Sequence, residues 1–401
     1  MGKTLGDICQ LIVDSEHKTA PPANPGTAYG YSIGTPHIRN GRILFESAIP
    51  VDEKTYSEWT ERETPQEGDI VLTREAPVGQ VGRIGAGQRV CLRQRTVLLR
   101  PASEHVNSRY LLYALMAPPI QDRMHARAAG STVPHLNIKD VRSLDMGNMP
   151  TMTEQRAIAE VLGTLDAKIT VNERIAETAV ELAEALYISE SSSAQGWSDV
   201  KLSQTARWLS GGTPKTSEPK YWGGEIPWIS AASLKSPWID DSDRKVTPEG
   251  AENGTRLVPE GSVIFVVRGM SLTSEFRVGL TQREVTFGQD CKALIPRSGI
   301  NPTTLFLAIK SMTPEILGYV DLAGHGTGRL TTERIANLSV KLPDGSTAKT
   351  FAQSVVPLVE RASATKRENR TLTDLRDTLL PQLVTGKIRI KDAERAVEDA
   401  V

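Results

Sequence analysis

The chain has 401 residues, 39% hydrophobic and 24% charged, enough to bury substantial cores and to exclude disorder by composition. Its 47 Lys and Arg against 48 Asp and Glu leave a net charge of −1, which excludes a generic basic coat for nucleic acid but not local basic patches. Three scattered thiols, Cys9, Cys91 and Cys291, with no CxxC argue against a disulfide framework or a Cys-rich zinc site.

In chain order, Pro25-Gly26 and Asn40-Gly41 mark turns, and Ile70–Leu72 and Thr96–Leu99 are β-branched apolar runs that predict buried strands. Ser108–Met116 predicts a short helix. Thr153-Glu154-Gln155-Arg156, after Pro150, predicts the start of a long one. Gly211-Gly212 and Gly223-Gly224 mark further turns, followed by predicted strands at Val263–Val267 and Ala293–Ile295 and a short helix at Thr303–Ser311. A second long helix then stops near Gly386. No apolar run approaches the ~18 residues of a membrane span and no signal-peptide core opens the chain, so the expectation is a cytoplasmic protein without a membrane partner.

The chain repeats itself once. Glu67-Gly68-Asp69-Ile70-Val71-Leu72-Thr73 corresponds to Glu260-Gly261-Ser262-Val263-Ile264-Phe265-Val266 at an offset of 193. Tyr110–Leu115 corresponds to Thr304–Ile309 at 194, as do Leu136, Val141 and Leu144 to Leu330, Ile335 and Leu338. Asn172, Ile175, Leu182 and Leu186 correspond to Asn369, Leu372, Leu379 and Leu383 at 197. A period of half the chain is too long for a solenoid. It predicts an α+β globular domain plus a long helix, occurring twice.

Steps of three and four give an apolar seam in each long helix. The first seam contains Ile158, Val161, Leu165, Lys168, Asn172, Ile175, Ala179, Leu182 and Leu186. The second contains Val355, Leu358, Ala362, Thr365, Asn369, Leu372, Arg376, Leu379 and Leu383. Both carry an Asn at the matching step, a residue that weakens a coiled coil but fixes its register. Packing of each helix on its own domain is the alternative, but two matching copies favour helices that pair with each other. The stretch Ile158–Leu186 spans roughly 42 Å at 1.5 Å per residue, slightly more than one turn of B-DNA.

Catalytic spacing is missing. Gly2-Lys3-Thr4 has the tail of a P-loop without its glycine-rich start, and Gly324–Gly328 lacks the strand, helix and acidic residue of a dinucleotide site. Asp240, Asp241, Asp243 and Lys245 read as a solvated acidic loop rather than a nuclease cluster, and no HxxxH pair suggests a zinc hydrolase. No Asn-Pro-Pro-Tyr or Asp-Pro-Pro-Tyr is present to hold a flipped adenine for methylation.

Nucleic-acid contact has better support. Arg83, Arg89, Arg93, Arg95 and Arg100 fall in a stretch, Ala76–Ser103, that contains no Asp or Glu. In the second half, Arg268, Arg277, Arg283, Lys292 and Arg297 match it, diluted by Glu275, Glu284 and Asp290. Arg suits bidentate contacts to guanine and phosphate. Two corresponding loops, Gly130–Asn137 and Gly324–Leu330, offer backbone N–H groups, hydroxyls and His. The candidate DNA-binding residues are therefore Arg39, Arg83, Arg93, Arg95, His135, Asn137 and Lys139 in the first half. In the second they are Arg268, Lys292, His325, Thr327 and Arg329. A solvated strand face or a plain turn is the alternative for any one of them. Trp208, Trp222, Trp228 and Trp238 read as core rather than as base-stacking platforms.

The chain resembles the specificity subunit of type I restriction–modification systems. The resemblance is carried by Asp14–Ala20 and Thr35–Gly41, by Ser210-Gly211-Gly212-Thr213-Pro214, and by Tyr221-Trp222-Gly223-Gly224-Glu225-Ile226-Pro227-Trp228. Thr153–Arg156 before a long helix, and Leu379–Leu383 followed by Thr385–Ile388, complete it. It implies target-recognition domains at 1–149 and 197–344, each reading half of a bipartite, asymmetric double-stranded DNA site. The long helices, at 150–190 and, with the C-terminal tail, 345–401, would pair as an antiparallel coiled coil about a pseudo-twofold axis, set the spacer and dock two modification (methyltransferase) subunits. Restriction/translocase subunits would join them. The chain itself would hold no cofactor or metal; S-adenosylmethionine, ATP and Mg belong to the partners. The first half lacks the Gly-Gly-Thr-Pro and Tyr-Trp elements, so the halves should read different sequences, and the Ser-rich linker Ser189–Gly196 is short. The other readings are a self-sufficient DNA methyltransferase or nuclease, and a coiled-coil adaptor with no DNA role.

Overall fold

The computed structural model describes residues 2–16, 18–128, 134–193, 195–323 and 326–400. The chain divides into two compact units: Met1–Thr170 with Asn369–Val401, and Val171–Glu368. Both long helices are continuous through this division. The first runs Met152–Ser192 and the second Gly345–Val384, so each unit holds part of both.

In the first unit an antiparallel sheet is ordered Cys9–Asp14, Thr96–Pro101, Ile70–Arg74, Val78–Arg83. Ile70, Leu72, Val97 and Leu99 pack beneath the helix Ser108–Met116 in one core that also takes Ile158, Leu162, Leu165 and Ile169 with Leu372, Leu379, Leu380 and Leu383. Burying each such side chain is worth about 1.5–3 kcal/mol, which is why these apolar runs fix the strands. A smaller sheet, Ile49–Val51, Gly30–Ile33, Val90–Leu92, stands beside it. Asn40 and Gly41, with φ of 50° and 79°, make the tight hairpin between Ile38–Arg39 and Arg42–Ile43, a conformation that suits this pair of residues.

The second unit repeats the plan. Its sheet is ordered Ala206–Ser210, Cys291–Pro296, Val263–Val266, Val278–Thr281, with Trp238–Ile239 added in parallel at the edge. The correspondence reaches single hydrogen bonds. Leu5 N donates to Leu144 O and Leu202 N to Leu338 O, both at 2.8 Å, and Leu136 N to Arg74 O (3.0 Å) matches Leu330 N to Val267 O (2.9 Å).

Three expectations need correcting. The first long helix starts at Met152, where Thr151 Oγ1 and Glu154 cap each other, rather than at Thr153. It also runs to Ser192, so half of the linker expected over Ser189–Gly196 is helix. Finally, its buried stripe keeps Ile158, Val161, Leu165, Asn172 and Ala179 of the expected seam but adds Leu162, Ile169, Ala183 and Tyr187. Leu182 is 47% exposed, and Ile175 and Leu186 are half-buried. Beyond Asn172 the small alanines face inward because Tyr187 supplies the bulk, its ring edge-on to Trp197 and Phe351. On the second helix Val355, Ala362, Thr365, Leu372, Arg376, Leu379 and Leu383 are buried, and Leu358 and Asn369 half-buried.

Side chains tie the helix segments within each unit. In the first, Asp166 accepts from Arg376 Nη1 (2.9 Å) and from the Tyr113 hydroxyl (2.6 Å), while Asn369 Nδ2 donates to Ile169 O (3.1 Å). In the second the tie is aromatic instead, with the Tyr187 and Phe351 rings 6.2 Å apart, while Lys310 on the helix Pro302–Ser311 is ion-paired with Glu184 of the first long helix.

Candidate nucleic-acid interface

The most informative position is where the strand Ile70–Arg74 ends and meets the segment preceding a short helix. In the first unit Glu75 bridges His135, one step past the Leu136 N to Arg74 O bond. Arg74 is fixed there, its Nη2 3.0 Å from Asp14 and its Nη1 donating to Leu136 O. Glu75 is also ion-paired with Arg95 at 3.3 Å. Arg95 takes φ +73°, a conformation rare for a side chain of this size.

The second unit builds the same junction with opposite charge. Arg268–Gly269 pairs with Thr327–Arg329, setting Arg268 directly opposite Arg329, and Asp321–Ala323 completes a three-stranded sheet. Arg268 and Arg329 are exposed and make no ion pair among the described residues, since Asp321 pairs with Arg334 at 3.2 Å. Two cations facing each other across a ladder destabilise it. An anion between them removes the penalty. Beside them Met270 is 75% and Leu322 72% exposed, giving the face apolar as well as cationic character. At the repeat offsets Arg268 matches Glu75 and Arg329 matches His135. The same backbone geometry therefore presents an acid and an imidazole in one copy and two guanidiniums in the other.

The remaining candidates are dispersed. Arg39 is exposed beside the Asn40-Gly41 turn. Arg83 is half-buried with Nε donating to Ser108 Oγ at 2.8 Å, and burial, followed by the nearby Arg109, lowers its pKa. Arg93 is half-buried, close enough to Gly34 that a Cβ there would lie 3.2 Å from its own. Asn137 donates to Asp140 at the start of the helix Ile138–Arg142, which exposes Lys139. Lys292 donates to Ser210 Oγ, and Thr327 lies on the same strand as Arg329. His325 lies outside the described residues, as do Gly130–Val133 of the matching loop.

Other expectations resolve locally. His37 accepts from Gly34 N at Nδ1 and contacts Ser47 O through Nε2, and burial lowers its pKa; this histidine holds a turn. Asp241 is paired with Lys245 and Asp240 with Lys366. Trp228 and Trp238 are buried. Trp222 packs edge-on to Trp228, and the Arg244 guanidinium lies 3.8 Å above Trp222, a stack that the sequence does not announce. Glu75 was missed as well, although aligning it to Arg268 by the repeat offset would have found it.

A family model described as the type I restriction modification DNA specificity domain matches residues 1–180 and again residues 194–373. The chain belongs to this family. As a member of the specificity family it is a DNA-recognition subunit, not a catalytic one. It is 28% identical over 145 residues to the EcoR124I/EcoR124II type I restriction enzyme specificity subunit of Escherichia coli, a match covering 36% of each chain. It is 25% identical over 364 residues to the MjaIX specificity subunit of Methanocaldococcus jannaschii, covering 85% of this chain and 82% of that one. Its fold is similar to the crystal structure of the type I restriction–modification S subunit from M. genitalium, with a TM-score of 0.60 at 17% identity over 96% of this chain and 95% of that chain. No helix among the described residues is long and apolar enough to cross a membrane.

Proposed function

We propose that each globular domain of this specificity subunit reads one half of a bipartite, asymmetric double-stranded DNA site. The observation that carries this reading is the junction built twice with different chemistry, Glu75 opposite His135 and Arg268 opposite Arg329. A matched backbone places side chains alike against two stretches of duplex, while the differing side chains select different bases. Arg39, Arg93, Arg95, Asn137, Lys139, Lys292 and Thr327 are proposed as further contacts, to phosphate or base. Arg83, tied to Ser108, contributes through its charge.

In the same reading the long helices pair antiparallel and set the spacer between half-sites. Within the first unit, Asp166 meets Arg376 and Ile169 meets Asn369, so partner numbers fall on one helix as they rise on the other. The chain assembles with two modification subunits, and with restriction subunits where these are present. S-adenosylmethionine, ATP and Mg2+ chemistry resides on those partners, in the cytoplasm.

The test is a methylation map made with the chain assembled with its modification subunit. Arg268→Ala with Arg329→Ala should relax one half-site, each lost base contact costing about 1–3 kcal/mol, and leave the other half intact. Glu75→Ala with His135→Ala should do the reverse. A change in both halves from either pair, or in neither, overturns the reading.

A further inference from the structure

Beside its main sheet each unit carries a smaller one of the same plan. In the first, Gly30–Ile33 pairs antiparallel with Ile49–Val51 and parallel with Val90–Leu92. In the second, Trp222–Ile229 pairs antiparallel with Lys245–Val246 and parallel with Val285–Phe287. Both hold an exposed arginine over an aromatic ring. The Arg244 guanidinium lies 3.8 Å from the centre of the Trp222 ring and 5.0 Å from that of Trp228. The Arg89 guanidinium lies 4.3 Å from the centre of the Tyr29 ring. The rings are themselves fixed, since Trp222 Nε1 donates to Lys215 O, Trp228 Nε1 donates to Gly212 O, and Tyr29 packs edge-on to Tyr56. Neither Arg244 nor Arg89 makes an ion pair among the described residues.

The two arginines are not repeat counterparts. Arg244 precedes the antiparallel partner strand and Arg89 the parallel one, and at the offset between Val90 and Val285 Arg89 falls on Glu284. A stack assembled twice from different strands marks a shared task rather than inherited packing. In each unit one strand leads from the stack to the charged junction described above. Arg95 follows Arg89 by six residues, no more than about 22 Å of chain. Its carbonyl accepts from Arg74 N at 2.8 Å and its side chain pairs with Glu75. In the second unit Trp228 packs over Gly288, where a Cβ would lie 2.9 Å from the ring, and Asp290 O accepts from Val267 N (2.8 Å) and Arg268 N (3.3 Å). About six base pairs of duplex cover such a span, so stack and junction reach the same half-site.

We propose that Arg244 and Arg89 each read a guanine, one in each half-site, by donating two N–H bonds to its O6 and N7. The assignment rests on the reading of each domain as the reader of one half-site, and adds the base. A ring beneath a guanidinium restricts its motion before binding and leaves the N–H edge for a planar acceptor pair. The surroundings of Arg244 favour a base over a phosphate. Asp240 and Asp241 on the same segment are paired with Lys366 and Lys245, but Asp243 is exposed and makes no ion pair among the described residues. A carboxylate next to the cation repels a phosphate, yet accepts from the amino group of the cytosine that pairs with the guanine. Trp222 is a positioning residue for Arg244, as Tyr29 is for Arg89.

The methylation map of the chain assembled with its modification subunit, read position by position, tests the assignment. Arg244→Ala should lower discrimination at one guanine by about tenfold or more, in the half-site that Arg268→Ala with Arg329→Ala relaxes. Arg89→Ala should do the same at one guanine of the other half-site. Trp222→Leu, acting through Arg244, should relax the Arg244 position alone, whereas a folding defect weakens every sequence alike; Trp222→Phe should restore it. Three results for Arg244→Ala overturn the proposal: an unchanged map, relaxation in both half-sites, or methylation weakened equally at every sequence, as loss of a phosphate contact gives. If Arg268→Ala with Arg329→Ala still relaxes its half-site in any of these cases, the assignment of Arg244 falls alone. If neither set of substitutions relaxes a half-site, the half-site reading falls with it.

Discussion

Asp166→Ala tests the polar tie between the two helix segments of the first unit. The carboxylate accepts from Arg376 at 2.9 Å and from the Tyr113 hydroxyl at 2.6 Å, and the Arg376 side chain is only 9% exposed. Its removal leaves the guanidinium with Asp377, whose own side chain is 58% exposed, and takes the acceptor from a buried phenol. Breaking a buried ion pair costs about 3–5 kcal/mol. Asp166 is 24% exposed, which places the loss at the lower end. Adding about 1 kcal/mol for the orphaned hydroxyl gives about 3–4 kcal/mol for the variant. At about 2–4 °C per kcal/mol for a unit of this size, the melting temperature of the first unit should fall by roughly 6–16 °C. Far-UV circular dichroism during thermal and urea unfolding measures it. Arg376→Met in the Asp166→Ala background should cost at least about 2 kcal/mol less than it does alone, because the cation left with only the exposed Asp377 goes with it. A single-variant loss under about 1 kcal/mol, or strict additivity in the pair, refutes the assignment.

Other outcomes follow from named features. Leu182→Lys should change stability by less than about 0.5 kcal/mol, whereas Ala183→Leu should cost about 1–3 kcal/mol by overpacking; urea titration giving the opposite order would put the seam back through Leu182. Burial pushes the Cys91 thiol up to about 11 and those of Cys9 and Cys291 up to about 12. An acid whose folded pKa is raised contributes fully below its ordinary value of 9.0 and loses that contribution as pH climbs through the folded value. Stability should therefore decline above about pH 9, and a thiol-reactive dye should label the native chain slowly at about pH 8; rapid labelling of all the thiols contradicts the burial. Inserting four residues after Thr170 and four before Asn369 lengthens each helix by about 6 Å. That should widen the methylated spacer by close to two base pairs, and an unchanged spacer shows that the partners set it.

The duplication was legible because strand and helix chemistry recur at offsets of 193 to 197, and the same offsets reappear in backbone bonds such as Leu5 to Leu144 and Leu202 to Leu338. The register of the first helix beyond Asn172 was not. Step-counting selected Ile175, Ala179, Leu182 and Leu186, of which only Ala179 is buried, while the fold turns Ala183 and Tyr187 inward instead of the others. That choice depends on rings supplied from outside the helix, by Trp197 and Phe351. The candidate interface was legible only in part. Arg268 and Arg329 stand out by type, but their apposition joins residues far apart in sequence. Arg83 looked available, and only the structure shows it held by Ser108. The Arg244 stack on Trp222 is a contact between side chains that no local spacing encodes.

The division of the chain has a consequence for its biogenesis. Val171–Glu368 is one uninterrupted stretch, whereas the other unit needs Leu372, Leu379, Leu380, Leu383, Ala393 and Val397 to close a core begun by Leu5 and Ile8. On the ribosome, which releases polypeptide from its N-terminal end, the later-made unit can finish folding first, and the earlier one waits for the final thirty or so residues. Trimming those residues should leave the amino-terminal half with exposed apolar surface, vulnerable to proteases. Exchanging 171–368 between relatives would instead replace a self-contained cassette.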